Sequence, residues 1–244
     1  MTGQYGWGDC QTDGVDRMDI PVPEDLAGLV TELFGHRLPL VRDYVRLLAN
    51  EGIEWGLIGP RETDRLWERH IVNSLCVSPL IAKGLFVADC GSGAGLPGIV
   101  LAIARPDLYV DLVEPMARRC DFLNLVVSRL DLSSTVNVIR ARVEDYQPIP
   151  DVVTCRALAN LSTLIPMTSA LIPPATLLAI KGDRATIEIE NAQELLDDYQ
   201  LQAEILQPSA STSSTSEVSM ALPSAPSVSA ELPLGTIIKV TSVK

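Results

Sequence analysis

Hydrophobic positions in the first third of the chain repeat at the spacing of an amphipathic helix. A first helix is predicted from positions three or four residues apart: Leu26, Leu29, Val30, Leu33 and Phe34. After Gly35 the same spacing returns at Leu40, Val41, Tyr44, Val45 and Leu48. A third helix is predicted from about Glu62 to Cys76, with Leu66, Ile71 and Leu75 facing inward. Three helices therefore precede residue 85.

From residue 85 onward, short β-rich runs alternate with helical runs. Strands are predicted in LFVADC, YVDLVEP, VNVIRARV, DVVTCRAL and LLAIKG. Helices are predicted in GIVLAIA, in RRCDFLNLVVSRL, near Thr163 to Leu171 and near Ile187 to Asp198. Such alternation indicates right-handed crossovers and a parallel sheet covered on both faces. QLQAEILQ and GTIIKV have no helix between them and are predicted to pair antiparallel. The predicted fold class is α/β: a Rossmann-like, mostly parallel seven-stranded sheet with an antiparallel last strand, preceded by N-terminal helices.

Composition along the chain suggests three regions. Residues 1–20 are rich in Gly, Asp and Thr without periodicity and are predicted to be a disordered leader. Residues 21–84 form a helical extension, and residues 85–244 form the main domain. Within that domain, residues 208–233 are dominated by Ser, Pro, Ala and Thr, which predicts a flexible, dispensable insert at the tip of the final hairpin.

Overall composition is that of a globular protein that stays in the cytoplasm. The chain has 244 residues and is 47% hydrophobic; no apolar run reaches the ~18 residues of a membrane span, and the opening residues lack the features of an export signal. The five cysteines never form a CxxC pair, so neither a disulfide framework nor a metal site is expected. A monomer is expected.

The acidic net charge of -12 argues against non-specific adhesion to nucleic acid. A local basic face is still possible, because arginines cluster at several places. The clustered basic residues are Arg61, Arg65, Arg69, His70, Arg118, Arg119, Arg140, Arg142 and Arg156. The guanidinium fork suits phosphate, but solvated helix faces explain such clusters equally well.

Candidate chemistry centres on a glycine-rich turn after the first strand, in the stretch VADCGSGAGLPGIVLA. Gly91, Gly93 and Gly95 would let a ligand approach bare backbone beside a helix start. A dinucleotide-binding turn would have glycine where Leu96 stands. Asp89 precedes the glycines, and Glu114 ends the second strand, where it can accept hydrogen bonds from ribose hydroxyls. The combination predicts a site for S-adenosylmethionine; a purely structural turn is the alternative.

More specific motifs surround this turn. GSGAGLPGIVLA, with HIVNSL upstream and RVED, CRAL and AIKG downstream, resembles the glucose-inhibited division protein B (GidB, or RsmG) family. The resemblance covers roughly residues 24–207 and the last strand. It implies a class I S-adenosylmethionine-dependent methyltransferase that acts on guanine N7 of small-subunit (16S) ribosomal RNA, either naked or in the small ribosomal subunit. Gly56, where many relatives carry Asn, and Cys155, where Ser is commoner, depart from the family pattern.

The resemblance also implies cofactor contacts at five positions: Gly91, Leu96, Val143, Glu144 and Arg156. Val143 and Glu144 follow the third strand, where they could sandwich adenine and accept from its amine; Glu144 could instead simply begin an exposed loop. Arg156 ends the fourth strand, where an unpaired buried charge would be costly. It is expected to have an anionic partner: the methionine carboxylate, an RNA phosphate or a structural Glu.

Methyl transfer to guanine N7 needs no catalytic base, because the ring nitrogen offers a lone pair without losing a proton. Positioning is then the main task of the protein. The positioning candidates are Arg156, Lys181 and His70. Lys181 could hold guanine O6 or a phosphate, or it could be a surface lysine with its ammonium in solvent. His70 could contact RNA or make a structural hydrogen bond, and Cys155 is expected in the core.

Two other functions are compatible with the sequence. A methyltransferase for a small molecule or protein would have a lid over the cleft and no need for arginines around it. A non-catalytic module would bind the cofactor without a methyl acceptor.

Overall fold

Seven strands form one sheet in the part of the chain that the computed structural model describes, residues 18–208 and 235–243. The strands are β1 Phe86–Cys90, β2 Tyr109–Val113, β3 Val136–Ile139, β4 Val152–Arg156, β5 Thr176–Lys181, β6 Leu201–Leu206 and β7 Thr236–Ser242. Their order is β3-β2-β1-β4-β5-β7-β6. The first five strands pair in parallel, whereas β7 runs antiparallel to both β5 and β6. The predicted sheet and its antiparallel last strand are confirmed.

Six α-helices flank the sheet within the described residues. They are α1 Ala27–Phe34, α2 Leu38–Leu47, α3 Gly98–Ala104, α4 Ala117–Arg129, α5 Leu161–Thr168 and α6 Ala185–Asp198. Short 3-10 turns lie at Glu24–Leu26, Gly35–Arg37 and Val143–Asp145, and α2 continues into a π-helical turn at Leu48–Gly52.

The predicted third helix, from about Glu62 to Cys76, is helical but not a regular α-helix. It consists of 3-10 turns at Pro60–Arg65 and Leu75–Leu80 on either side of a π-helix at Leu66–Val72. Side chains compete here for backbone acceptors, since the carbonyls of Arg69 and His70 accept hydrogen bonds from Arg156 and the His70 carbonyl also accepts from Ser74 Oγ. These contacts draw the carbonyls away from a regular ladder.

Alternate strand residues face two separate hydrophobic layers, as the pleat requires. Val87 packs into the layer formed with α1 to α4, and its neighbour Ala88 packs into the layer formed with α5 and α6. The N-terminal helices therefore share one core with α3 and α4 instead of standing apart from the sheet. Residues 18–20 are held against them, since Met18 N donates to Asn50 Oδ1 and Trp67 Nε1 donates to the carbonyl of Ile20.

The predicted insert at residues 208–233 lies, apart from Pro208, outside the described residues, as does most of the predicted leader. The hairpin that flanks the insert is present, with Leu206 paired to Ile237. None of the helices in the described ranges has the length and hydropathy needed to cross a bilayer.

Candidate active site

The glycine turn lies at the carboxyl end of β1 and has the left-handed backbone that only glycine adopts easily. Gly91, Gly93 and Gly95 have φ of 71°, 61° and 98°. A Cβ at Gly91 would lie 2.5 Å from Leu158 Cδ1, and one at Gly95 would lie 2.5 Å from Ile99 Cγ1. A Cβ at Gly93 would meet nothing nearer than a backbone oxygen at 3.8 Å. The outer glycines are therefore needed for packing, whereas Gly93 leaves space for a ligand.

The buried side chain of Asp89 forms hydrogen bonds with both ends of this turn. Its Oδ2 accepts from Ser92 Oγ at 2.6 Å and from Gly98 N at 3.0 Å, so one buried oxygen holds both the turn and the start of α3. A Cβ on Gly98 would approach that oxygen to 2.7 Å, which explains the glycine of the Leu-Pro-Gly stretch. The other oxygen of Asp89 is buried without a hydrogen-bond partner among the described residues. Burial raises the pKa of Asp89 to about 6.

Glu114, directly after β2, contacts the middle of the glycine turn. Its side chain is 1% exposed; Oε2 accepts from Gly93 N at 3.0 Å and Oε1 accepts from Met116 N at 3.0 Å. Arg119 lies 3.5 Å from Oε2. The structure therefore brings together the two features that the sequence placed 23 residues apart, and a carboxylate has more acceptor positions than the two backbone donors occupy.

The charges around the turn test which ligand fits it. Asp89 and Glu114 place two carboxylates beside the glycines, and such a pair disfavours a pyrophosphate while favouring a cation. S-adenosylmethionine carries a sulfonium and an ammonium, and its ribose has two hydroxyl donors. The residues present therefore fit this molecule. Leu96, also assigned to the cofactor by resemblance, is half-buried against the first hydrophobic layer.

Val143 and Glu144 lie in the 3-10 turn that follows β3, at the same edge of the sheet. Val143 is buried in the second hydrophobic layer, whereas the Glu144 side chain is exposed. Val143 thus offers a buried apolar surface, and Glu144 beside it offers an exposed hydrogen-bond acceptor. Their contact with adenine stays a prediction.

Arg156 has neutral partners among the described residues, and the methionine carboxylate or RNA phosphate expected as its partner stays a prediction. Its Nη2 donates to the carbonyl of Arg69 at 2.7 Å, and Nη1 lies 3.3 Å from the carbonyl of His70 and 3.4 Å from Ser74 Oγ. Among the described residues no carboxylate pairs with it, so the alternative of a structural Glu is wrong. Burial lowers the pKa of Arg156, but carbonyl dipoles replace part of its lost hydration. The cation thus fixes the 66–72 segment over the end of β4.

His70 makes a structural contact in that segment. Its Nε2 lies 3.0 Å from Glu62 Oε2, and Arg69 Nη1 approaches the same oxygen at 3.5 Å. Burial lowers the pKa of His70, and the hydrogen bond that His70 donates to Glu62 partly opposes that effect. The structural alternative proposed for His70 is therefore present, and a contact with RNA stays a prediction.

Lys181 is not a solvated surface lysine. Its side chain is 9% exposed, and Nζ donates to the carbonyl of Ala159 at 2.6 Å and to Glu188 Oε2 at 2.7 Å. The same glutamate oxygen accepts from Leu161 N at 2.9 Å. The snorkelling alternative is wrong because α6 begins just after β5 and brings Glu188 against the lysine. Lys181 thereby links β5 to α5 and α6, and its proposed contact with guanine or phosphate stays untested.

Several of the clustered arginines lie near the glycine turn. Arg118 and Arg119 begin α4, next to the carboxyl end of β2, and Arg69 belongs to the segment fixed by Arg156. The side chains of Arg69 and Arg119 are 56% and 43% exposed. Exposed cations thus flank the edge that carries the turn.

Sequence reasoning treated Tyr44 only as a core residue and missed its link to the turn. The hydroxyl of this fully buried tyrosine donates to the carbonyl of Ala94 at 2.8 Å. A hydroxyl in an otherwise aliphatic helix stripe was the available signal, because a buried phenol normally has a partner. Helix α2 is thereby attached to the glycine turn.

Comparison with known proteins identifies the family to which the chain belongs. The family model for GidB, rRNA small subunit methyltransferase G, matches residues 37–214. The ribosomal RNA small subunit methyltransferase G of Thermobifida fusca is 51% identical over 178 residues, which cover 72% of this chain and 73% of the relative. That of Mycolicibacterium smegmatis is 46% identical, with 73% of this chain and 76% of the relative covered.

A solved structure shows the same fold at low identity. The putative S-adenosyl-L-methionine-dependent methyltransferase of Methanococcus maripaludis aligns with a TM-score of 0.52 and 13% identity, over 78% of this chain and 94% of that one. Its similarity bears on the fold alone, a class I methyltransferase sheet. Together with the match of the family model over most of the chain, the sequence relatives show that this chain belongs to the rRNA small subunit methyltransferase G family.

Proposed function

We propose that the chain transfers a methyl group from S-adenosylmethionine to N7 of a guanine in small-subunit (16S) ribosomal RNA. The observation that carries the proposal is the hydrogen bond from Gly93 N to Glu114 Oε2, which joins the glycine turn to the acid after β2. This arrangement occurs in a chain of the rRNA small subunit methyltransferase G family.

The protein's part in this reaction is to bind and orient. When bound, S-adenosylmethionine would supply the methyl group of its sulfonium to the lone pair of guanine N7, with the S–C bond breaking and S-adenosylhomocysteine leaving. Asp89 and Glu114 hold negative charge beside the donor, and neither has to remove a proton. Arg156 holds the 66–72 segment over the end of β4, where it forms one wall for the incoming base. Alignment of donor and acceptor then supplies most of the acceleration.

The RNA partner is inferred from the exposed arginines at the same edge. Arg69, Arg118 and Arg119 can reach phosphates beside a guanine that enters the cleft. The chain is proposed to act as a monomer in the cytoplasm, where small ribosomal subunits assemble.

The proposal can be tested by incubating the protein with methyl-labelled S-adenosylmethionine and either small ribosomal subunits or naked rRNA. Label is expected in the small-subunit rRNA, at one position that becomes sensitive to cleavage specific for N7-methylguanine. Label in protein or in small molecules, with none in RNA, would favour a methyltransferase of another class. Cofactor binding without any acceptor would indicate a non-catalytic module.

A further inference from the structure

A buried carboxylate lies in the middle of β2, away from the glycine turn. Asp111 is 4% exposed and shares a face of the sheet with Val113, so it lies at the second hydrophobic layer. Within the described residues no lysine, arginine or histidine forms an ion pair with it. A charge in such a place costs folding free energy that an apolar residue would not.

Two hydrogen bonds satisfy this carboxylate. Tyr146 Oη donates to Asp111 Oδ2 at 2.7 Å, in a fully buried contact. Asn137 Nδ2 donates to Oδ1 at 3.0 Å from the neighbouring strand, where Asn137 is the register partner of Asp111. Asp111 therefore connects β2, β3 and the chain that follows β3.

Tyr146 is attached directly to the Val143–Asp145 turn. Its backbone N donates to the carbonyl of Val143 at 3.2 Å, and its ring packs in the second layer beside Val143 and Cys90. Burial, reinforced by the hydrogen bond to Asp111, raises the pKa of Tyr146, so the phenol keeps its proton and stays a donor. The position of the phenol thus sets the position of the turn.

We propose that Asp111 and Tyr146 are positioning residues. They fix the Val143–Asp145 turn at the distance from the sheet that is needed to recognise the adenine of the methyl donor. The inference rests on the proposed function, because it takes this turn to be the adenine contact. A hydrogen bond to a carboxylate is short and directional, whereas apolar packing lets a turn slide. The cost of burying Asp111 is offset by a defined distance between the turn and the sheet.

The test is Tyr146→Phe, which removes one oxygen and keeps the ring. Affinity for S-adenosylmethionine is expected to fall about tenfold, since the hydrogen bond to a charged group is lost. The ratio of the affinities for S-adenosylhomocysteine and its hypoxanthine analogue, S-inosylhomocysteine, is expected to decrease. The affinity for RNA is expected to stay unchanged. Tyr199→Phe is the matched control, because Tyr199 is 41% exposed and lies at the end of α6. It should bind both ligands as the wild type does.

Two further variants keep the test decisive if Tyr146→Phe does not fold. Asn137 is exposed, so Asn137→Ala should fold while removing one bond from the carboxylate, and affinity should fall about threefold. Asp111→Asn should retain most of the affinity, because its carbonyl can accept from Tyr146 and its amide can donate to a rotated Asn137.

Unchanged cofactor affinity and base preference in Asn137→Ala, or in a folded Tyr146→Phe that melts at lower temperature, would overturn the positioning role and leave a purely structural one. Failure of the wild type to bind S-adenosylmethionine would instead refute the proposed function.

Discussion

Individual residues of the glycine turn combine a requirement for packing with a requirement for open space. Gly91 and Gly95 have no room for a side chain, whereas Gly93 has room but a φ of 61°. Packing alone would not require the openness at Gly93. That position is therefore where stability and ligand binding can be separated by experiment.

Gly93→Ala should reduce affinity for S-adenosylmethionine by tenfold or more, because the new Cβ enters the space left for the ligand. Gly84→Ala is the matched control: Gly84 also has positive φ and nothing within 4 Å, but it lies before β1, at the opposite end of the strand. Each variant should lose about 1 kcal/mol of unfolding free energy from the left-handed backbone. Calorimetry should find weak binding in the first variant alone; equal affinities would remove the turn from the cofactor site.

Asp89 predicts a pH-dependent stability. Its pKa of about 6 lies above the ordinary 3.8, so the folded state holds the proton more tightly than the unfolded state. The resulting stabilisation is complete below about pH 4 and is lost as the pH rises through about 6. Asp89→Asn removes this dependence while an amide oxygen still accepts from Ser92 and Gly98.

Without cofactor, the variant should therefore be the more stable protein at about pH 7, by up to about 2 to 3 kcal/mol for a shift of two pKa units. The difference should shrink towards zero at about pH 4, where the wild-type carboxyl is neutral. Denaturant titrations at several pH values measure it. A constant difference would show that burial does not perturb Asp89.

At the level of elements, the connections between strands and helices depend on a few buried polar side chains. Lys181 joins β5 to α6 and to the start of α5, and Arg156 joins β4 to the irregular helix at residues 66–72. Such contacts fix how helices sit on the carboxyl edge of the sheet. The carboxyl edge, where the RNA is proposed to bind, is built from elements held in this way.

Lys181→Met should lower the unfolding free energy by about 2 kcal/mol, because it leaves Glu188 partly buried without its cation. Lys239→Met is the matched control, since Lys239 forms an ion pair of similar length, 2.8 Å, with Glu204 in a more exposed setting. That pair should contribute at most about 0.5 kcal/mol. Thermal and chemical unfolding of both variants gives the comparison. Equal losses would mean that the Lys181 pair is no more than a surface contact.

For the whole molecule, net charge and local charge point in opposite directions. The chain carries a formal charge of -12, yet exposed arginines lie along the edge that bears the glycine turn. An acidic surface elsewhere limits non-specific adhesion to RNA, so binding should depend on this edge. The salt dependence of RNA binding measures the number of phosphates contacted there.

Arg69→Ala and Arg119→Ala should each weaken RNA binding and reduce its log–log salt slope by about 0.7 to 0.9, equivalent to one phosphate contact. Affinity for S-adenosylmethionine should change little in Arg69→Ala, whose side chain does not contact the glycine turn or Glu114. Arg129→Ala is the control, because Arg129 is exposed at the opposite end of α4. Titrations at several salt concentrations provide the slopes. If both test variants keep the wild-type slope, these arginines are ordinary solvated surface and the RNA is held elsewhere.

Local patterns determined much of this protein. The period of apolar residues predicted the order of strands and helices along the chain. The buried face of a strand carries an apolar residue every two positions, and that of a helix every three to four. The spacing of the glycines and Glu114 predicted that they would meet for a similar reason, since consecutive parallel strands bring their carboxyl ends to one edge. The pairing of β6 with β7 followed from the missing helix between them.

Tertiary structure alone decided the partners of the polar side chains. Arg156 contacts a carbonyl 87 residues earlier in the chain, and Tyr146 contacts a carboxylate 35 residues away. No periodicity records such pairs, because they depend on how separate elements cross. The irregular helix at residues 66–72 has the same origin. Its sequence has helical spacing, but Arg156 at the end of β4 donates hydrogen bonds to two of its carbonyls. A buried polar group must find a partner, and only the folded chain determines which partner lies within reach.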